Sequence, residues 1–141
     1  MISNEEHDAV QASFGRCLVS ASFFRDFYDR FLASDTRVAA LFAKTNWEQQ
    51  LEHVRKALAM NLMLCRGEAF AAHTFERLAR KHGPRGLDVP HSLYPLWLEC
   101  MIWALRKNDP RFDAPLERVW RQVLAEGIAR VKADVPDEPV T

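Results

Sequence analysis

The sequence has few helix-breaking residues, few cysteines and no excess charge of either sign. Its 141 residues include only five glycines, seven prolines and three cysteines. Cys17, Cys65 and Cys100 stand far apart and form no CxxC pair, which argues against a zinc site or a disulfide-stapled domain. We interpret all three as small, wholly or partly buried thiols in a reducing compartment.

Charge and targeting signals are equally sparse. Lys and Arg together number 19, as do Asp and Glu, so the formal net charge is zero. This balance argues against a dedicated binder of nucleic acid or of anionic membranes, which would present a basic surface. The acidic, polar beginning of the chain lacks the features of a signal peptide, and no apolar run approaches the roughly 20 residues of a membrane span. We therefore expect a cytoplasmic protein with neither a nucleic-acid nor a membrane partner.

Apolar residues make up 48% of the chain, and they recur at helical spacing through most of it. Glycine and proline fall between the periodic segments, as at Gly83-Pro84, and so mark the ends of helices. The first predicted helix begins near Ser3 or Asn4, and the others cover residues 22–33, a short stretch around 38–42, 46–65, 68–82, 91–107 and 115–133. The pattern predicts one all-α domain of six to eight helices over residues 1–135, followed by a disordered tail over 136–141.

A tyrosine, a phenylalanine and a histidine carry the chemistry that these helices offer. Phe27-Tyr28-Asp29-Arg30 lies in the second predicted helix, Leu41-Phe42 in the third, and Lys81-His82 ends the fifth. A buried phenol needs a hydrogen-bond partner, and a neutral imidazole is a good iron ligand. Ordinary structural roles are the alternative: core aromatics, and a basic residue favoured at a helix C-terminus.

These motifs, taken in order with the downstream Tyr94, resemble the globin domain of bacterial flavohemoglobins and single-domain bacterial hemoglobins. The segment from Phe42 to Gln50 resembles instead the start of the distal helix in truncated hemoglobins. The resemblance covers the chain from the second to the penultimate predicted helix. It implies a globin fold, a three-over-three helical sandwich around a heme pocket. The cofactor is expected to be heme b, because no CxxCH motif is present for covalent attachment.

The resemblance also assigns roles to individual residues. His82 is the expected iron ligand, and Leu78, one turn earlier, is expected to pack beneath the porphyrin. Tyr28 is the expected hydrogen-bond donor to bound dioxygen, which carries partial negative charge. Phe42 is expected to pack against the porphyrin at the corner before the distal helix.

Two points stay open on the distal helix. Gln50 and Val54 lie one turn apart on one face, so Gln50 could polarise the ligand with Tyr28 while Val54 covers the iron. The flavohemoglobin spacing would place Glu52 at the distal position instead. His53 matches a histidine that acts as an internal sixth ligand in some truncated hemoglobins, although we favour its pointing to solvent or to the heme propionates.

On the proximal side, Tyr94 resembles the flavohemoglobin tyrosine that supports the ligating histidine. Glu126 is the candidate for the glutamate that accepts a hydrogen bond from that histidine. A carboxylate in this place pushes electrons toward the iron and favours peroxidase-like or dioxygenation chemistry. The alternative interpretation of Glu126 is a solvated charge on the last helix.

The resemblance implies reversible binding of O2, and of NO or CO, at the iron. Nitric-oxide dioxygenation would require an external reductase, because no reductase domain follows the last predicted helix, so enzyme activity stays open. Two other functions remain. One is a heme-based gas or redox sensor that acts through a partner protein. The other is a heme-free, globin-like interaction protein whose pocket is filled by side chains such as Trp47 or Met63.

Overall fold

The computed structural model describes residues 2–133, and this part of the chain forms seven α-helices and no strand. The predicted all-α fold is therefore confirmed, whereas the predicted tail over 136–141 lies outside the described residues. Between residues 2 and 133, no helix is long and apolar enough to cross a membrane. The helices are α1 (Asn4–Val19), α2 (Phe23–Ser34), α3 (Thr36–Leu41), α4 (Trp47–Leu64), α5 (Ala69–His82), α6 (Tyr94–Asn108) and α7 (Ala114–Lys132), with a 3-10 turn at His91–Leu93 before α6.

Polar side chains define where several helices begin. Ser3, Asp35, Asn46 and Asp113 each accept a hydrogen bond from a backbone N–H in the first turn of α1, α3, α4 and α7, respectively. Such caps satisfy amides that a helix leaves without an internal partner. Within residues 2–133, helices α2, α5 and α6 begin without such a bond to the side chains at their N-cap positions, Ser22, Glu68 and Leu93.

Most helices share one buried apolar cluster, which we call the main core. Helices α6 and α7 are central to it: α2 packs on α6, α4 packs on α7, and α1 contacts both. Its fully buried members include Phe27, Met101, Leu105 and Trp120. Across residues 2–133, every helix except α5 contributes a buried residue to the main core.

Helix α5 packs in a second, smaller cluster, which we call the α5 cluster. Its buried members are Leu64 at the end of α4 and Ala71 and Phe75 of α5. Leu78 and Val131 are partly buried against it, and α5 also runs along α7. Helix α5 is thus held by the ends of its neighbours rather than by the main core.

A buried carboxylate ties α1 to the corner between α6 and α7. Asp109 accepts hydrogen bonds from Ser13 Oγ at 2.6 Å, Arg16 Nε at 2.5 Å and the Arg111 backbone N–H at 2.9 Å. Ser13 Oγ in turn accepts from Trp120 Nε1 at 2.9 Å. Burial works to raise the pKa of Asp109, but the hydrogen bonds from Arg16 and Ser13 outweigh it and hold that pKa below its ordinary value of 3.8.

Candidate functional site

Helices α2 and α4 bring Tyr28 and Gln50 together. Tyr28 is buried, and Gln50 donates a hydrogen bond from Nε2 to the Tyr28 hydroxyl oxygen at 2.9 Å. Because this oxygen accepts from Gln50, the hydroxyl proton is left to be donated to another group. Burial raises the pKa of Tyr28 to about 12, against the smaller opposing effect of Gln50. The phenol therefore stays protonated at neutral pH.

Phe42 and Trp47 surround the Tyr28 ring. Tyr28 meets both rings edge-on, with centroid separations of 5.6 Å to Phe42 and 5.1 Å to Trp47. Phe42 and Trp47 stack on one another at 5.7 Å. We call Tyr28, Phe42, Trp47 and Gln50 the distal group. Aromatic contacts of this kind hold rings in fixed relative positions.

The start of α4 explains why Gln50 reaches the tyrosine. Asn46 Oδ1 accepts from the Gln49 backbone N–H at 3.2 Å, so the helix begins at Trp47 and Gln50 falls in its first turn. Val54, one turn later, is buried in the main core. The same cap therefore sets the positions of Trp47, Gln50 and Val54.

The two other distal candidates on α4, Glu52 and His53, do not contact Tyr28 among the described hydrogen bonds and ring contacts. Glu52 is paired with Arg55 and with Lys56, whose Nζ is 3.8 Å from its carboxylate. His53 is exposed. The structure thus brings Gln50, and not Glu52, to Tyr28, and it places His53 on the solvent side of α4.

His82 is the last residue of α5 and is half-buried. Its Nδ1 donates a hydrogen bond to the Leu78 carbonyl oxygen at 2.8 Å. With the proton on Nδ1, the lone pair of Nε2 is available, which is the form of imidazole that ligates a metal. Burial lowers the pKa of His82, against the opposing effect of the hydrogen bond to Leu78. Burial thus favours the neutral imidazole, and the hydrogen bond to Leu78 fixes its proton on Nδ1.

A cavity of about 420 Å³ lies beside His82. Tyr94 of α6, Val89 in the preceding loop and Val131 near the end of α7 line it. Tyr94 is nine-tenths buried, and burial raises its pKa to about 12. The structure therefore brings Tyr94 and His82 to one cavity, while the supporting role of Tyr94 stays a prediction.

Glu126 is not the partner of His82. Its carboxylate accepts from the Cys65 thiol at 3.2 Å, while Nδ1 of His82 is taken by a backbone carbonyl. Of the two interpretations of Glu126, the structure supports the solvated charge on the last helix, because the side chain is exposed. Helix α7 presents Val131 to the cavity instead. The periodicity of α7 could not show this, because it gives the apolar face but not which residue meets α5.

The candidate residues lie on two helices that a short connection joins. Residues 65–68 join α4 to α5, and the α5 cluster packs the two helices together next to that connection. Gln50 lies near the start of α4 and His82 at the end of α5. We call the distal group with Val54 the distal wall of the candidate site, and Leu78 with His82 the proximal wall.

No family sequence model matches the chain, and no curated protein matches it. Among solved structures, the chain is similar to the crystal structure of a protein from Pseudomonas aeruginosa that is described as structurally highly homologous to a human hemoglobin. The two sequences are 35% identical, the match covers 90% of this chain and 95% of the other, and the TM-score is 0.86. The likeness thus extends well beyond the short motifs to nearly the whole chain.

Proposed function

We propose that this chain, which belongs to the globin family, binds one heme b through His82 and reversibly binds O2, NO or CO. Heme supplies a ferrous iron that takes up a diatomic gas and releases it unchanged. The observation that carries the proposal is the hydrogen bond from His82 Nδ1 to the Leu78 carbonyl, because it leaves Nε2 free as a ligand.

The residues on both walls fit a heme. Within residues 2–133, no three His, Cys, Asp or Glu side chains come together as a metal-binding set. A heme iron needs no such set, because the porphyrin nitrogens supply the in-plane ligands and one histidine completes the attachment. Leu78 and Val54 add apolar surface on the two sides, which suits the apolar face of a porphyrin.

On the distal side, we assign the Tyr28 hydroxyl as the group that donates a hydrogen bond to the bound gas. Gln50 donates to the Tyr28 oxygen and so leaves the phenolic proton for the ligand. Phe42 packs edge-on to Tyr28 and restricts its ring. Val54 is the apolar residue that we expect over the iron, and exposed His53 is the residue that we expect near the propionates or solvent.

The proximal side favours reversible binding over dioxygenation as the primary function. His82 donates to a backbone carbonyl rather than to a carboxylate, so the imidazole gains little anionic character. A nitric-oxide dioxygenase would also need an external reductase. A gas sensor that acts through a partner protein shares the same heme site, and a change of association state on gas binding would distinguish it.

Absorption spectra of the oxidised, reduced and CO-treated reduced protein, purified from heme-replete cells, test this proposal. We expect a Soret band that shifts with CO and that is lost or strongly altered in His82→Ala. His73→Ala is the matched control, because His73 lies on the same helix, is exposed and faces Glu76. Absence of a Soret band even after hemin is added would contradict heme binding and favour the heme-free interaction protein.

A further inference from the structure

The cavity beside His82 lies where three helices come together. It is lined by the last residue of α5, the first residue of α6, the loop between these two helices and the end of α7. The loop is fixed to the end of α5, because the backbone N–H of Leu87 donates to the Lys81 carbonyl oxygen at 2.8 Å. The N–H of Val89 donates to the His82 carbonyl oxygen at 2.9 Å. Ala133, directly after α7, also lines the cavity, so the described part of the chain ends at one of its walls.

Positive charge exceeds negative charge around this cavity. Lys81 and Arg85 are exposed on either side of His82 in the sequence, and Lys132 is exposed where α7 lines the cavity. Among residues 2–133, Asp88 is the one acidic side chain in the cavity lining. We call Lys81, Arg85 and Lys132 the basic rim. A surface with this excess of cations attracts an acidic segment.

The sequence supplies an acidic segment directly after α7. Residues 134–141 read Asp-Val-Pro-Asp-Glu-Pro-Val-Thr, with three carboxylates and no basic side chain. Pro136 and Pro139 disfavour a continuation of α7 through this segment, so the chain can turn back toward α5. Eight extended residues reach roughly 26 Å. This exceeds the length of about 21 Å that 14 helical residues give α5.

We propose that the segment 134–141 binds back onto the basic rim, covers the cavity and holds the end of α5 against α7. This docking goes beyond gas binding and does not depend on heme. Single exposed ion pairs are weak, but a segment attached at Ala133 has a high local concentration at the rim. A segment without a core of its own gains order from such a surface. Val135 supplies an apolar side chain to meet Val89 and Val131 of the cavity lining.

The basic residues of α4 do not offer the same surface. Arg55 and Lys56 both pair with Glu52, and Lys56 Nζ lies 3.8 Å from the Glu52 carboxylate. An acidic segment that approached them would have to compete with a carboxylate already in place. Lys56 is exposed, like Lys81, and is therefore the matched control for a contact at the basic rim.

A carbodiimide, which joins a carboxylate to a lysine amine without a spacer, tests the contact directly. The purified protein is treated with and without added hemin, digested and examined by mass spectrometry. We expect cross-links from Asp137 or Glu138 to Lys81, and several-fold fewer to Lys56. A mixture of isotope-labelled and unlabelled protein separates contacts within one chain from contacts between chains. If cross-links between chains were as common as those within a chain, the segment would bind a second copy, which would overturn the proposal.

Hydrogen exchange tests whether the segment holds the cavity wall. The variant Asp134→Asn/Asp137→Asn/Glu138→Gln removes the charge of the segment and keeps its length. We expect backbone amides of residues 83–90 to exchange several-fold faster in this variant than in the wild type at low salt. High salt should abolish the difference, because it screens exposed charges. Exchange in α6 should be equal in both proteins, which shows that the fold is intact.

A second triple variant controls for the loss of charge itself. Asp8→Asn/Asp29→Asn/Glu48→Gln removes three exposed carboxylates from α1, α2 and α4. It should leave exchange in residues 83–90 unchanged at any salt concentration. Equal exchange of residues 83–90 in the wild type and the neutralised segment, or equal cross-linking at Lys81 and Lys56, would overturn the docking. Neither result would bear on heme binding, which the Soret band reports separately.

Discussion

The two walls of the site belong to different parts of the molecule. The distal wall is continuous with the main core, because Tyr28 and Val54 are buried members of that cluster. The proximal wall is carried by α5, whose buried residues Ala71 and Phe75 belong to the separate α5 cluster. The difference teaches that the main core can hold the distal residues in place without heme. Helix α5 packs through its own small cluster and its contact with α7, so we expect its stability to depend more on the proposed heme.

Removal of heme is the change with the largest expected effect on this comparison. We expect backbone amides of α5 to exchange about three orders of magnitude faster without heme, a loss of about 4 kcal/mol of local stability. Amides of α6 should change little, because most of its buried residues lie in the main core. Hydrogen exchange of the heme-loaded and heme-free protein, followed by mass spectrometry, checks this. An equal loss of protection against hydrogen exchange in α5 and α6 would show that the α5 cluster and the main core do not unfold separately.

Asp109→Asn tests the main core, which we expect to stay stable without heme. We expect the free energy of unfolding at neutral pH to fall by about 3 kcal/mol, because a buried charge is removed from its partners. The folded pKa of Asp109 lies below 3.8, so its contribution is complete above that value and is lost as the pH falls through the folded pKa. Urea unfolding at several pH values from neutral to acid measures the free energy of unfolding. The contribution of Asp109 that is lost at acid pH should be seen in the wild type and not in the variant. Asp8→Asn, on the exposed side of α1, should change little.

Tyr28→Phe tests the distal wall alone. We expect O2 to dissociate about tenfold to a hundredfold faster, because one hydrogen bond worth about 1.5–3 kcal/mol to a charged acceptor is lost. Stopped-flow replacement of O2 by CO measures the rate, and exchange in α5 should stay as in the wild type. An unchanged rate of O2 dissociation would contradict the role that we assign to Tyr28.

Glu68→Ser has the smallest expected effect. It tests whether α5, the helix of the proximal wall, can be stabilised separately from the main core. A serine can accept a backbone N–H at the start of α5, which should add about 0.5–1 kcal/mol to the stability of that helix. Slower amide exchange of α5 in the heme-free protein is the expected result. Ser3→Ala, which removes the cap of α1, should have the opposite sign and a cost of about 1 kcal/mol. Unchanged exchange in α5 would show that its start is not a weak point.

Local signals predicted the helices closely. The helix predicted over 46–65 is observed as Trp47–Leu64, and the one predicted over 68–82 as Ala69–His82. Caps and apolar periodicity act within a few residues, so sequence alone contains them. The predicted globin fold is also confirmed by the similarity to a hemoglobin-like structure.

Long-range contacts were harder to predict. The motif spacing left both Gln50 and Glu52 as candidates beside Tyr28, and the structure places the Gln50 side chain in contact with it. The roles of these residues and of His82 stay predictions. Of the two interpretations of Glu126, the solvated charge holds, but no local pattern indicated its hydrogen bond with Cys65. The contact of Trp47 with Tyr28 also had no local signal.

The hydrogen bond between Ser13 and Asp109 spans 96 positions of the chain. During synthesis, α1 therefore leaves the ribosome before α6 and gains its polar partner Asp109 only after α6 has emerged, and Trp120 follows later still. Until then the apolar side of α1, with Val10 and Phe14, cannot pack against α6 and α7, the central helices of the main core. A nascent chain that pauses before these helices emerge leaves this apolar surface exposed, and chaperones bind exposed apolar segments of this kind.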